Sequence, residues 1–276
     1  MNNEIHCAAR AIGQANSIFI GAGAGVDSGL PDFRGTEGFW KAYPVFKNLG
    51  IEFQEVATPA LFGVDPALAW GFYGHRLHLY RQTVPHRGFH ILQEFCRDKS
   101  HFVFTSNVDG HFEKAGFSSA NIEECHGSIN HLQCADGRNC PRADAIWAAD
   151  EINVTVDVET LRAEEPLPCC PRCHQVARPN ILMFGDWGWI SERTGAQEKR
   201  LMQWQREISG KSVVIEIGAG TAIPSVRRQC ETFAAHHDAT LIRINPREAD
   251  GPHGTVSLSL GALEALKLLQ AELTKI

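Results

Sequence analysis

Ser17-Ile18-Phe19-Ile20-Gly21-Ala22-Gly23-Ala24-Gly25 is the stretch on which the fold turns. Residues 17–20 form a short apolar run without alternation, as expected for a strand covered on both faces of a parallel sheet. The glycines that follow let backbone amides approach a pyrophosphate at the N-terminus of the next helix. Three further runs read the same way: 101–105, 212–217 and 240–244. Helical patterns lie between them. Residues 4–15 carry Ile5, Ala8, Ala9 and Ile12 on one face, and residues 262–273 carry Leu263, Leu266, Leu269 and Leu273 on one stripe. Strands alternating with helices predict an α/β protein with a Rossmann-like, doubly wound parallel sheet.

At about 150 residues per domain, 276 residues correspond to about two domains or to one large domain with insertions. The apolar share of 43% is enough for a substantial core. Against 32 acidic side chains the chain has 26 basic ones, a balance of −6, so direct nucleic-acid binding is not expected. No apolar run reaches the ~18 residues of a membrane helix; the best, 212–223, is broken by Glu216, Gly218 and Gly220. Residues 1–6 lack the basic and apolar regions of a signal peptide, so a cytoplasmic location is expected. Two regions interrupt the alternation. An aromatic-rich stretch, about 38–85, is helical in pattern and reads as a small helical module. Residues 134–173 hold many charges, four prolines and few apolar runs apart from 154–158, an excursion held together by something other than a core. With its flanks, about 128–180, it reads as a metal-binding module inserted in one domain spanning 1–276.

Nine cysteines in an unsecreted chain read as thiols or metal ligands rather than as a disulfide framework. Cys134 and Cys140 form one pair, and Cys170-Pro171-Arg172-Cys173 forms a tighter second one. Four thiolates in two knuckles are the ligand set of a closed, tetrahedral, structural zinc. Such a metal would replace a missing hydrophobic core. Five residues separate the first pair, where two to four are usual. Cys169 leaves the register of the second pair open, with Cys170 giving the two-residue spacing; His131 and His174 are reserve ligands.

The glycine loop is not a dehydrogenase fingerprint: Val26 occupies the third glycine position, and no acidic residue ends a strand about 20 residues on. A second glycine turn, Gly218-Ala219-Gly220-Thr221, follows the run ending at Ile217, and Asn245 ends another strand. Both can face the first turn across a switch-point crevice, giving one cleft for one dinucleotide. After 101–105 comes Ser106-Asn107-Val108-Asp109-Gly110, in which Asn107 and Asp109 can grip a carboxamide or simply form a turn. His126, before Gly127, lies between the cleft and the cysteine excursion and has the pKa range of a general base. In the helical stretch 69–76, Tyr73 and Arg76 are three apart and share a helix face. The alternative there is a core tyrosine with an exposed arginine.

In order, these segments resemble the sirtuins, NAD-dependent protein deacylases. The matches are Gly21-Ala22-Gly23, the run from Ser28 to Gly35, Asn107-Val108-Asp109-Gly110, His126-Gly127-Ser128, the two cysteine pairs, Arg178-Pro179-Asn180-Ile181, Phe184-Gly185-Asp186, Gly218 and Ile244-Asn245. The resemblance covers nearly the whole chain. It implies NAD and one structural zinc as cofactors, with Asp32, Phe33 and Arg34 at the nicotinamide ribose, Asn107 and Asp109 at the nicotinamide carboxamide, and Ser106 among the cofactor-binding positions. Phe184, Gly185 and Asp186 would pair with an acyl-lysine peptide by strand addition. The implied reaction expels nicotinamide and yields O-acyl-ADP-ribose, with His126 as base and Asn107 assisting. Tyr73 and Arg76 are similar to the Tyr-x-x-Arg pair of family members that remove succinyl and malonyl groups. Gly25, Ser106 and Gly220 depart from the usual serine, glutamine and serine, and Asp186 from the usual glutamate. An ADP-ribosyltransferase or NAD glycohydrolase of the same fold is therefore the enzymatic alternative, and an ADP-ribose-binding module the non-enzymatic one.

Overall fold

The structure, a computed structural model, describes residues 2–26, 36–136, 140 and 145–276. Asp32, Phe33 and Arg34 lie outside the described residues. Helix α1 (Asn2–Gln14) leads into strand β1 (Ser17–Ala22), and five helices follow: α2 (Thr36–Ala42), α3 (Pro44–Leu49), α4 (Phe53–Val56), α5 (Pro59–Val64) and α6 (Pro66–Gln82). Helix α7 (Arg87–Cys96), strand β2 (Ser100–Thr105), helix α8 (His111–Lys114) and strand β3 (Ile122–Glu124) return the chain to the sheet. An excursion then runs through β4 (Gly127–Cys134), β5 (Ile146–Ala148), β6 (Val156–Asp157), β7 (Arg162–Ala163) and β8 (Ala177–Ile181). The chain closes with α9 (Glu192–Glu207), β9 (Ser212–Ile217), α10 (Ser225–His236), β10 (Thr240–Ile244), β11 (Val256–Leu258) and α11 (Ala262–Leu273).

The main sheet has the order β11-β10-β9-β1-β2-β3, and every neighbouring pair is parallel. This is the doubly wound order expected from the sequence, with its switch point between β1 and β9. Side chains alternate across it. Ile18 and Ile20 join Ile12, Leu92, Ile215 and Leu266 under α1, α7 and α11. Phe19 points the other way into a stack with Phe233 (centroids 4.5 Å apart) and Trp204.

Glu216, which breaks an otherwise apolar run, has a structural explanation. In register it lies between Gly21 on β1 and Arg243 on β10. Arg243 is fully buried and donates from Nε and Nη2 to the two Glu216 carboxylate oxygens (2.6 and 2.8 Å), from Nη2 to Glu231 (2.7 Å), and from Nη1 to the Asp250 carbonyl (2.6 Å). A buried charge is tolerated only when paired in this way.

Two expectations need correcting. The cysteine excursion does have a core: Ala149, Val154, Leu161, Ala163 and Leu167 pack with Phe62, Trp70, Phe72 and Tyr73 of the helical stretch. Helix α6 is the spine of this shared core. Pro66 starts it, the Asp65 carboxylate caps it by accepting from the Leu68 N–H (3.2 Å), and the same carboxylate pairs with Arg162 on β7 (2.7 Å). Strands β3 and β11 were not foreseen either, being three residues each and mixed in polarity.

Edge strand β3 carries Glu123, whose Oε2 is buried without a hydrogen-bond partner among the described residues. Burial, reinforced by Glu198, raises its pKa to about 7. The folded state thus holds this proton more tightly than the unfolded chain, whose carboxyl titrates near 4.5. The favourable contribution is complete below pH 4.5 and is lost as the pH rises through 7. Glu123→Gln should therefore gain stability relative to wild type between pH 5 and pH 8, by ~1–3 kcal/mol. Parallel denaturation curves at both pH values test this; a difference independent of pH contradicts it.

Candidate active site

A cleft of about 610 Å³ opens where β1, β2 and β9 end, a volume typical of small-molecule and cofactor sites. Gly23, Ala24, Ser106, Asn107, Asp109, His126, Ala219 and Gly220 line it from the sheet side. Two backbone turns meet there. Gly23 N–H donates to the Ile217 carbonyl (2.9 Å) and Gly25 N–H to the Gly218 carbonyl (3.0 Å). Gly218 has a φ of +64°, and a Cβ there would lie 2.0 Å from the Gly25 carbonyl carbon. Of the first motif, only Gly23 reaches the cleft. Gly21 and Ala22 lie inside β1, and a Cβ on Gly21 would strike the Cys230 sulfur at 2.1 Å. Asn245 acts behind the cleft: its Nδ2 donates to the Ala219 carbonyl (3.0 Å), and its Oδ1 accepts from the Arg247 and Glu248 N–H groups.

Asn107 is fixed at both ends. Its N–H donates to Thr105 Oγ1 (3.0 Å) and its Nδ2 to the Gly23 carbonyl (3.2 Å). Asp109 Oδ1 accepts the His111 N–H (2.9 Å), so the turn and the cleft-lining carboxylate coexist in one segment. His126 follows β3, and its Nε2 lies 3.5 Å from Ser225 Oγ at the start of α10. Burial lowers its pKa below the ordinary 6.5, and the Ser106 backbone opposes this. The imidazole is therefore neutral at physiological pH.

The far wall belongs to α6. Tyr73 and Arg76 are both buried, and both line the cleft, so the arginine is not a surface residue. The guanidinium carbon lies 5.7 Å from the Tyr73 ring centroid and 5.2 Å from those of Phe72 and Tyr80. The guanidinium donates to Tyr80, whose Oη accepts from Nε (2.8 Å) and Nη2 (2.5 Å). Burial pushes the Tyr73 phenol up to about 12.

The segment before α9 is more self-contained than the sequence suggests. The Asp186 carboxylate is fully buried, paired bidentately with Arg178 (2.7 and 2.9 Å), and accepts the Met183 and Gly188 N–H groups. Leu182 N–H donates to the His126 carbonyl and Phe184 N–H to the Ala57 carbonyl (both 2.9 Å). Phe184 lines the cleft, whereas Gly185 and Asp186 do not.

Cys134, Cys140, Cys170 and Cys173 bring their sulfurs within 4.8 Å of one another. Cys134 and Cys173 are 3.5 Å apart, Cys140 and Cys170 3.8 Å. A tetrahedron with Zn–S bonds of ~2.3 Å has edges of about 3.8 Å, so the donor set fits zinc. The register question is answered by Cys169, which is exposed and directs its sulfur to the Leu167 carbonyl. Neither His131 nor His174 belongs to the cluster.

A model of the Sir2 family matches residues 21–221. The chain belongs to the Sir2 family. Among its relatives, an NAD-dependent protein deacylase of Caldanaerobacter subterraneus subsp. tengcongensis is 33% identical over 262 residues, covering 92% of this chain and 93% of the relative. An NAD-dependent protein deacylase of Thermus thermophilus is 28% identical, covering 92% and 88%. A Sir2 homologue solved as an NAD complex superposes with a TM-score of 0.72 at 24% identity, over 97% of this chain and 93% of the other. Among the described residues no helix is long and apolar enough to cross a membrane.

Within this Sir2 chain, the sequence reading missed Tyr80, which lines the cleft, and Ser225, which touches His126. Tyr80 lies four positions after Arg76 and seven after Tyr73, so helix periodicity alone could have found it. Ser225 beside His126 is ninety-nine residues distant and carries no local signal. For the cysteine cluster we expect one zinc per chain by elemental analysis. Cys173→Ser or chelation should lower the melting temperature by on the order of 5 °C or more. A zinc-free protein, or an unchanged melt, would contradict the site.

Proposed function

We propose that this chain is an NAD-dependent protein-lysine deacylase that prefers acyl groups ending in a carboxylate, succinyl or malonyl. The observation that carries this reading is that His126, Asn107 and the Tyr73–Arg76 pair line one cleft at the carboxyl ends of β1, β2 and β9. The deacylase relatives, which span most of the chain, support the reaction class.

In this reading the turns at Gly23 and Gly220 receive the pyrophosphate, and Asn107 and Asp109 receive the nicotinamide carboxamide, with Asp32, Phe33 and Arg34 assigned to the ribose by resemblance. Asn107 Nδ2 is already committed to Gly23, so its carbonyl oxygen is the part that accepts from a carboxamide. NAD, when bound, would supply the ribose carbon that the acyl oxygen attacks as the bond to nicotinamide breaks and nicotinamide leaves. His126, kept neutral by burial, accepts the proton of a ribose hydroxyl. The peptide backbone pairs through Gly185 and the carbonyls beside Phe184, because the N–H groups of residues 182–184 are already used.

At the acyl end, a planar guanidinium binds a carboxylate in a charge-assisted manner, and a protonated Tyr73 adds a donor. His126→Ala should abolish acyl transfer while leaving the melting temperature within a few degrees and NAD binding largely intact; a wild-type deacylation rate would refute its role as base. Arg76→Met should lower desuccinylation by about ten-fold or more, since a hydrogen bond to a charged group contributes ~1.5–3 kcal/mol, with deacetylation suffering much less. Equal losses on succinyl- and acetyl-lysine peptides, or a wild-type preference for acetyl, would refute the acyl assignment.

A further inference from the structure

Tyr80 stands at the C-terminal end of α6, where Lys114 holds the helix by donating to the carbonyls of Arg81 (2.7 Å) and Thr83 (2.6 Å). Its ring stands edge-on to His111, with centroids 6.4 Å apart. The phenol oxygen receives both N–H groups of one edge of Arg76, Nε and Nη2. An oxygen accepting two hydrogens has used its lone pairs, so what remains to Tyr80 is its single O–H. Among the described residues that O–H has no acceptor, and the residue lines the cleft beside Tyr73 and Arg76. Burial raises the pKa of this phenol, so the O–H keeps its proton at working pH.

We infer that Tyr80 determines acyl specificity: it fixes the Arg76 guanidinium by one edge and donates its own O–H to the terminal carboxylate of the acyl chain. The inference rests on the carboxylate-acyl reading above and deepens it. A terminal carboxylate offers two oxygens, one for the guanidinium and one for the phenol. A methyl terminus offers none, and leaves the O–H without an acceptor. It does not, however, strip Arg76 of its partner, because Tyr80 is present whatever the substrate. Acetyl-lysine is therefore tolerated at reduced affinity rather than excluded.

The test uses two fluorescent peptides that differ only in carrying succinyl- or acetyl-lysine, measured by equilibrium binding and by nicotinamide release with NAD. Tyr80→Phe keeps the ring against His111 and removes both hydrogen-bonding roles. Its Kd for the succinyl peptide should rise about ten-fold, at least five times more than for the acetyl peptide. The kinetic loss should fall mainly on KM. Added to Arg76→Met, Tyr80→Phe should cost the succinyl peptide less than a further two-fold, because the two side chains act as one unit. Equal weakening on both peptides, no change, or tighter succinyl binding would overturn the inference, as would full additivity. A wild-type protein that binds both peptides equally would overturn it too. If neither peptide releases nicotinamide while the binding difference holds, the deacylase reading fails and the role of Tyr80 stands.

Discussion

The two glycine turns at the switch point pack backbone against backbone, and the geometry of the cleft follows from that contact. Strands β1 and β9 run parallel with Ala22 opposite Ile217, so their ends are flush. Beyond them Gly25 donates to the Gly218 carbonyl, and Gly218 leaves no room for a side chain. Asn107 is then tied to the Gly23 carbonyl, and Asn245 to the Ala219 carbonyl. Three strand ends thus share one rigid floor, which is where a doubly wound sheet binds its ligands. A side chain at Gly23 or Gly218 would push the floor apart and displace Asn107 with it.

Charge is placed around this floor in opposite ways. Behind it, Glu216 and Arg243 neutralise each other within the sheet, and Asp186 does the same with Arg178 beneath the segment 182–188. Those pairs hold backbone in place and are closed to substrate. On the α6 wall, by contrast, Arg76 stands against the phenols of Tyr73 and Tyr80, and Tyr80 accepts two of its N–H groups. The cleft therefore combines a neutral imidazole at His126 with a guanidinium, Arg76, on its α6 wall.

Much of this was legible in the chain itself. Unalternated runs gave four of the six main strands, because strands buried on both faces must be apolar throughout. Glycine spacing marked both turns, and the two-residue spacing of Cys170 and Cys173 selected the right register. Gly21 was read as a ligand contact, but it is required by packing against Cys230, which only the tertiary structure reveals. The side chain of Asp186 pairs with Arg178, a partner eight residues earlier on β8 that no local motif signals. The shared core of α6 and the cysteine excursion was invisible because Leu161 and Leu167 are isolated in a polar stretch and find their neighbours across the chain.

NAD-dependent acyl transfer from lysine in this one cleft is decided by mass spectrometry of the products formed from NAD and a panel of acyl-lysine peptides. Nicotinamide, free-lysine peptide and O-acyl-ADP-ribose should form in equal amounts, with succinyl- or malonyl-lysine peptides converted most efficiently. ADP-ribosylated peptide, or free ADP-ribose formed without loss of the acyl group, would contradict it.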